Sequence, residues 1–104
     1  MNLRQATRYV LSCPAQYHWL SSDGLEQNGT GVTRDLAVSG AFVRGDRIPA
    51  VGTQIELSIA LPNCEDTRYG MRLRGTGKVL RVEQDSDTQP SGFAVLVNLD
   101  ASPP

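Results

Sequence analysis

The chain is poor in the side chains that most catalysis and metal binding use. Among its 104 residues there is one histidine, His18, one lysine, Lys78, one tryptophan and two cysteines. A lone histidine beside Trp19, with no serine or cysteine at a suggestive spacing, supplies no nucleophile–base pair. Cys13 and Cys64 have no partner histidines, so they make no zinc site. Long apolar runs are also missing: nothing approaches the roughly 20 residues of a membrane helix, which predicts no membrane insertion. The first ten residues hold Arg4 and Arg8 and no apolar stretch, unlike a secretory leader. The expectation is a cytoplasmic protein with both cysteines reduced. Excess charge of either sign is lacking too, with 10 basic and 11 acidic residues and a net charge of -1. That balance excludes a grip on DNA or RNA through bulk positive charge.

What is present describes one folded domain over 1–104. A hydrophobic fraction of 39% with 20% charged residues is ordinary for a chain that buries a core. The charge is unevenly placed, because Arg4 and Arg8 precede the first acidic residue, Asp23. A cationic tip on a near-neutral chain suits a small anion better than a polymer. Nearly all the basic residues are arginines, whose flat fork matches phosphates and guanine edges, although GC-rich codon usage produces the same bias.

Alternation with period two dominates, and no stretch has a helical period. Leu11, Cys13, Ala15, Tyr17 and Trp19 share one face, which predicts a half-buried first strand and places Cys13 in the core. Pro14 puts that strand at an edge or turns its missing donor outward. Ser-Ser-Asp-Gly at 21–24 and Asn-Gly at 28–29 punctuate the next connection. Further strands are predicted over about 30–36 and 40–44. After a loop carrying Pro49, Ile55, Leu57, Ile59 and Leu61 mark the fourth. The fifth runs over 71–83, with Met71, Leu73 and Val79 in one phase and Leu80 and Val82 in the other. That flip predicts a bulge or bend near Gly75-Thr-Gly77. Phe93, Val95, Val97 and Leu99 form the sixth, and 100–104 reads as a tail. Six strands without a crossover helix predict an all-β fold, a six-stranded antiparallel (split) β-barrel with little or no helix.

Two short segments remain. Arg4-Gln-Ala-Thr-Arg8 is an Arg-x-x-x-Arg pair just before the first strand, and Asp35-Leu-Ala-Val-Ser-Gly40 spans the turn between strands two and three. In these the chain resembles the PilZ family, whose hallmarks are Arg-x-x-x-Arg followed by Asp/Asn-x-Ser-x-x-Gly. The resemblance extends through Val51-Gly-Thr-Gln-Ile-Glu-Leu, Gly75-Thr-Gly-Lys-Val-Leu-Arg-Val and Gly92-Phe-Ala-Val-Leu-Val, so it covers nearly the whole chain in order. Either motif alone is weak evidence; the ordered pair within six strands is a strong signal.

The resemblance implies a receptor for cyclic di-GMP, with no cofactor and no catalysis. It gives Arg4 and Arg8 the phosphates and guanine faces, since guanidinium groups bond phosphate bidentately and stack on purines. It gives Asp35 the guanine N1–H and N2–H donors. Gly40 would allow a positive φ or a close backbone approach. Ala37 stands at the motif's serine position, and a missing neutral hydrogen bond is worth ~1 kcal/mol, roughly five- to tenfold in affinity. Ser39 lies close by as a further candidate. Family members often carry an arginine where this chain has Leu3, so the resemblance implies one ligand per chain, unless Arg34 supplies the missing charge. No output domain is read in the chain, so the signal is expected to pass to a separate effector protein. Residues 1–10 are expected to be a flexible loop that closes over the ligand. Two alternatives stand beside this: a PilZ-like protein-interaction module with weak or no nucleotide binding, and a flavin-dependent enzyme on a split barrel, for which the chain looks too short.

Overall fold

The computed structural model of the chain describes residues 9–37, 39–61, 71–84 and 91–102. It contains seven strands in chain order: β1 Pro14–Leu20, β2 Glu26–Ala37, β3 Gly40–Gly45, β4 Gln54–Ala60, β5 Arg72–Glu83, β6 Gly92–Val97 and β7 Asp100–Ser102. No helix occurs among the described residues. Every ladder is antiparallel. β1 pairs with β2, β2 with β3, β3 with β6, β6 with β5, β5 with β4, and β4 returns to β1. The result is a closed six-stranded barrel, in which those six strands leave no long free edge. The seventh strand lies within what the sequence read as a tail. Asp100–Ser102 pairs with Arg72–Arg74, beside the half of β5 that β6 does not reach.

The alternating residues fill the interior. Cys13, Ala15, Tyr17, Ile55, Leu57, Ile59, Val79, Phe93, Val95 and Val97 are all nearly inaccessible and form one cluster. Removing each of the larger ones from water contributes about 1.5–3 kcal/mol. Tyr17 belongs to this cluster. Its ring meets Phe93 edge-on at 4.9 Å and Trp19 in a stack at 5.9 Å. Gly29 lies opposite Tyr17 in the β1–β2 ladder, where any Cβ would run into the tyrosine ring. The Tyr17 hydroxyl donates to the Arg47 carbonyl, and burial raises its pKa to about 12.

Four local expectations need correction, the first being that Asn28-Gly29 lies in a connection: both residues are within β2, paired with His18 and Tyr17. Of the two readings of Pro14, the edge strand falls, because β1 pairs on both sides, with β4 reaching only as far as Ala15. Pro14 is tolerated as its first residue, beyond the last paired position of β4. Leu11 precedes the strand and is partly exposed, not in the core. The phase flip in β5 falls at Leu80 rather than at Gly75-Thr-Gly77. The register slips between Val79 and Arg81, and Leu80 is the extra residue. Gly75 and Gly77 pair regularly with Leu57 and Ile55. They are glycines because the Asn98 and Leu96 carbonyls press on the space a Cβ would need. β2 slips in the same way between Thr33 and Asp35, which leaves Arg34 as its bulged residue.

Candidate functional site

The strand register sorts the motif residues by face. Leu36 opposes Ala41 and both are buried, so their neighbours point out of the barrel: Asp35 opposite Phe42, and Ala37 opposite Gly40. The pairing continues across β6 to β5. Phe42, Ala94 and Arg81 form one outward row; Gly40, Leu96 and Lys78 form the next; Arg44, Gly92 and Glu83 lie on the other side. The four strands β2, β3, β6 and β5 thus present a strip roughly 14 Å across, from three inter-strand spacings of ~4.8 Å. Its middle is floored by small or apolar residues, Gly40, Phe42, Ala94 and Leu96. Its two sides carry long charged ones, Arg34 and Asp35 from β2 and Lys78, Arg81 and Glu83 from β5.

Phe42 explains the arrangement of the arginines. It is 1% exposed although it stands outside the core cluster, between the inward-facing Ala41 and Val43. Its cover is cationic. The Arg34 guanidinium lies 3.8 Å from the ring centroid, and those of Arg44 and Arg81 lie at 5.7 and 5.8 Å. Gly92 lies beneath, where a Cβ would strike the ring. Contacts of this kind are worth about 0.5–1 kcal/mol each at exposed sites and more where water is excluded. The ring therefore holds three guanidinium groups near one another against their mutual repulsion. Two carboxylates help: Arg34 Nε donates to Asp35 Oδ2 at 3.1 Å, while Arg34 and Arg81 each approach a different oxygen of Glu83 at 3.5 Å. Among the described residues, four cations face two anions on this strip, on a chain whose overall charge is -1.

Of the residues the sequence singled out, Asp35, Ala37 and Gly40 come together on this face, with Arg34 beside them. Gly40 has no positive φ. A close approach requires it, since a Cβ would stand 2.7 Å from the Val95 carbonyl oxygen. Ser39 lies in the β2–β3 turn, and its carbonyl accepts the Val97 N–H at 3.1 Å. Leu3, Arg4 and Arg8 lie outside the described residues, as does Cys64. Tyr9, the residue after Arg8, is described. Its N–H donates to the Leu36 carbonyl at 2.8 Å, and its carbonyl accepts the Leu36 N–H at 2.9 Å. The chain following the arginine pair is thereby fastened to β2 between Asp35 and Ala37.

Thr33 makes a second fastening of the same segment. Only 1% exposed, it accepts the Cys13 N–H on its hydroxyl at 2.9 Å and donates that hydroxyl to the Leu11 carbonyl. A polar residue in a buried position is thus fully used. Sequence reasoning missed Thr33, Phe42, Arg44, Lys78 and Arg81. The signal for the two bulges was available as spacing: Thr33 and Leu36, and Val79 and Val82, are inward pairs three apart. A strand achieves that only with an extra outward residue between them.

A groove of about 900 Å³ lies over β1, β2, β4, β5 and β7, away from the motif residues. In it His18 contacts Glu56, and Arg72 donates to the Ser58 hydroxyl at 3.1 Å. This agrees with His18 as a half-exposed surface residue.

No protein-family model matches the chain, and no curated protein matches it by sequence. Among solved structures it is similar to the inhibitor of motility MotI/DgrA from Bacillus subtilis. The TM-score is 0.65 at 19% sequence identity, over 93% of this chain and 43% of that one. This chain therefore spans less than half the length of that protein, and what the likeness shows is a shared fold.

Proposed function

We propose that the chain is a receptor for cyclic di-GMP that acts as an adaptor toward a separate effector protein. The observation that carries this reading is the Tyr9–Leu36 bridge. Through it Tyr9, the residue after Arg8, pairs with β2 between Asp35 and Ala37 of the second motif, beside a strip rich in guanidinium groups. Each part of the ligand then has a partner of fitting chemistry. Phosphates meet Arg4, Arg8 and the arginines of the outer face, a guanine edge meets the Asp35 carboxylate, and the small residues Ala37, Gly40 and Ala94 leave room for purine rings. The similarity to a motility inhibitor supports a signalling role exerted through a partner, and no catalytic step belongs to this reading.

Titration calorimetry with cyclic di-GMP at fixed salt tests it, because binding that rests on phosphate–arginine contacts weakens as salt rises. Saturable binding with one ligand per chain is the expected result. Absence of heat at high micromolar protein, with no shift in melting temperature on adding the nucleotide, would overturn it. A second reading, an interaction module that binds nucleotide weakly or not at all, is favoured by one observation: Ala37 leaves the strip without the motif's hydroxyl.

A further inference from the structure

The bulges of β2 and β5 bring two guanidinium groups from opposite sides of the strip onto one carboxylate. Glu83 opposes Gly92 in the β5–β6 ladder, on the outward row. Its Oε1 is 3.5 Å from an Arg34 terminal nitrogen and its Oε2 is 3.5 Å from an Arg81 terminal nitrogen. Each oxygen thus serves a different arginine, and both arginines also lie over the Phe42 ring. A tetrahedral phosphate presents the same pattern, with two anionic oxygens a short distance apart. The two arginines are also held ready. Arg34 is oriented by Asp35 at 3.1 Å and by the aromatic face at 3.8 Å. Neither contact depends on Glu83.

We propose that Arg34 and Arg81 form a phosphate clamp on the outer face of the barrel, and that Glu83 is the built-in anion occupying it until a ligand phosphate takes its place. The inference rests on the nucleotide reading and adds residues that neither motif contains. Glu83 sets the affinity from within. The pairs are partly exposed, with side-chain accessibilities of 32% for Arg34, 37% for Glu83 and 58% for Arg81. Water and salt screen them, and an arriving phosphate can compete without first breaking a buried contact. Loss of the Glu83 charge leaves the Asp35 carboxylate on Arg34 but removes the anion that Arg34 and Arg81 share, which strengthens their demand for an external one.

The test is a calorimetric titration of wild type, Glu83→Gln, Arg81→Ala and the double variant with cyclic di-GMP, at low and high salt. Melting temperatures are measured on the same samples. Glu83→Gln keeps the shape of the side chain and is expected to bind roughly three- to tenfold more tightly, with a steeper loss on adding salt. Arg81→Ala is expected to bind about tenfold more weakly at an unchanged melting temperature. The double variant, with half of the clamp gone, is expected to lose most of the gain. Tighter binding by Glu83→Gln, including binding that emerges only in that variant, supports the clamp. Normal wild-type binding with both single variants unaltered, or weakened binding by Glu83→Gln, overturns the clamp and leaves the receptor reading intact. No binding by either wild type or Glu83→Gln overturns both.

Discussion

Thr33→Val is a sharp test of how the N-terminal segment is attached. Valine nearly matches threonine in shape, so the barrel interior is left filled. The substitution removes the hydroxyl that accepts the Cys13 N–H and donates to the Leu11 carbonyl. Both backbone groups then lack their partner. Cys13 is only 1% exposed, so its N–H has no ready access to water. An unmet buried donor costs about 1–3 kcal/mol, which in a domain of this size lowers the melting temperature by roughly 5–20 °C. Thr33→Ser is the companion variant. It keeps both hydrogen bonds and deletes one methyl group, for which about 0.5–1.5 kcal/mol is expected. Urea unfolding followed by tryptophan fluorescence ranks the three proteins, given the stack of the partly buried Trp19 on Tyr17 against the core. Nucleotide affinity should fall in Thr33→Val at temperatures where it remains folded, because the segment leading back to Arg8 is less well held. Equal stability of Thr33→Val and wild type, or a greater cost for Ser than for Val, would refute the role given to the hydroxyl.

Four further outcomes are expected. Tyr17 has an ordinary tyrosine pKa near 10 when unfolded and about 12 when folded, with burial as the main cause and the Asp46 carboxylate adding to it. Its contribution is complete below pH 10 and is lost as pH rises through 12, roughly 2–3 kcal/mol in all; urea midpoints measured from pH 9 to 12 should fall in wild type and stay flatter in Tyr17→Phe. Arg8→Ala should weaken cyclic di-GMP at least tenfold, from loss of ~1.5–3 kcal/mol of charge-assisted contact, with little change in unfolding midpoint, and normal affinity would remove Arg8 from the site. Ala37→Ser restores a hydroxyl on the outward side of β2 and should tighten binding several-fold; unchanged affinity in calorimetry would show that the hydroxyl has no place in this site. One ligand per chain is expected for wild type, with Leu3→Arg moving the calorimetric stoichiometry toward two; two ligands in wild type would contradict the charge argument.

Much of the barrel was legible because its interior is lined by apolar residues at alternate positions, as in Ile55, Leu57 and Ile59 or Phe93, Val95 and Val97. The first four residues of β2 were not, since Glu26 to Gly29 carries little apolar patterning and is held by the ladder to β1. β7 was invisible for a similar reason. Three residues without β-branched or aromatic side chains acquire strand geometry only because β5 offers an unpaired half. The glycines misled the placement of the β5 irregularity. Glycine in a strand marks either a bulge or a close approach, and sequence alone does not distinguish the two. At the site, the motif residues Asp35, Ala37 and Gly40 could be named from order and spacing. The outer-face cations Lys78 and Arg81 could not, because the β3–β6 and β6–β5 registers are both needed before they fall on the face that carries Phe42 and Arg44.

The two bulges make Arg34 and Leu80 unusual with respect to insertion and deletion. Elsewhere in β2 or β5, deleting one residue shifts the pleat by one and turns an inward row outward for the rest of the strand. Deleting Leu80 instead removes the surplus residue, so that Val79, Arg81, Val82 and Glu83 keep the faces they already have. Deleting Arg34 does the same for Thr33, Asp35 and Leu36, at the loss of one guanidinium. Length variation at these two positions is therefore compatible with one unchanged barrel, and the outer face can gain or lose a side chain without the core being rebuilt.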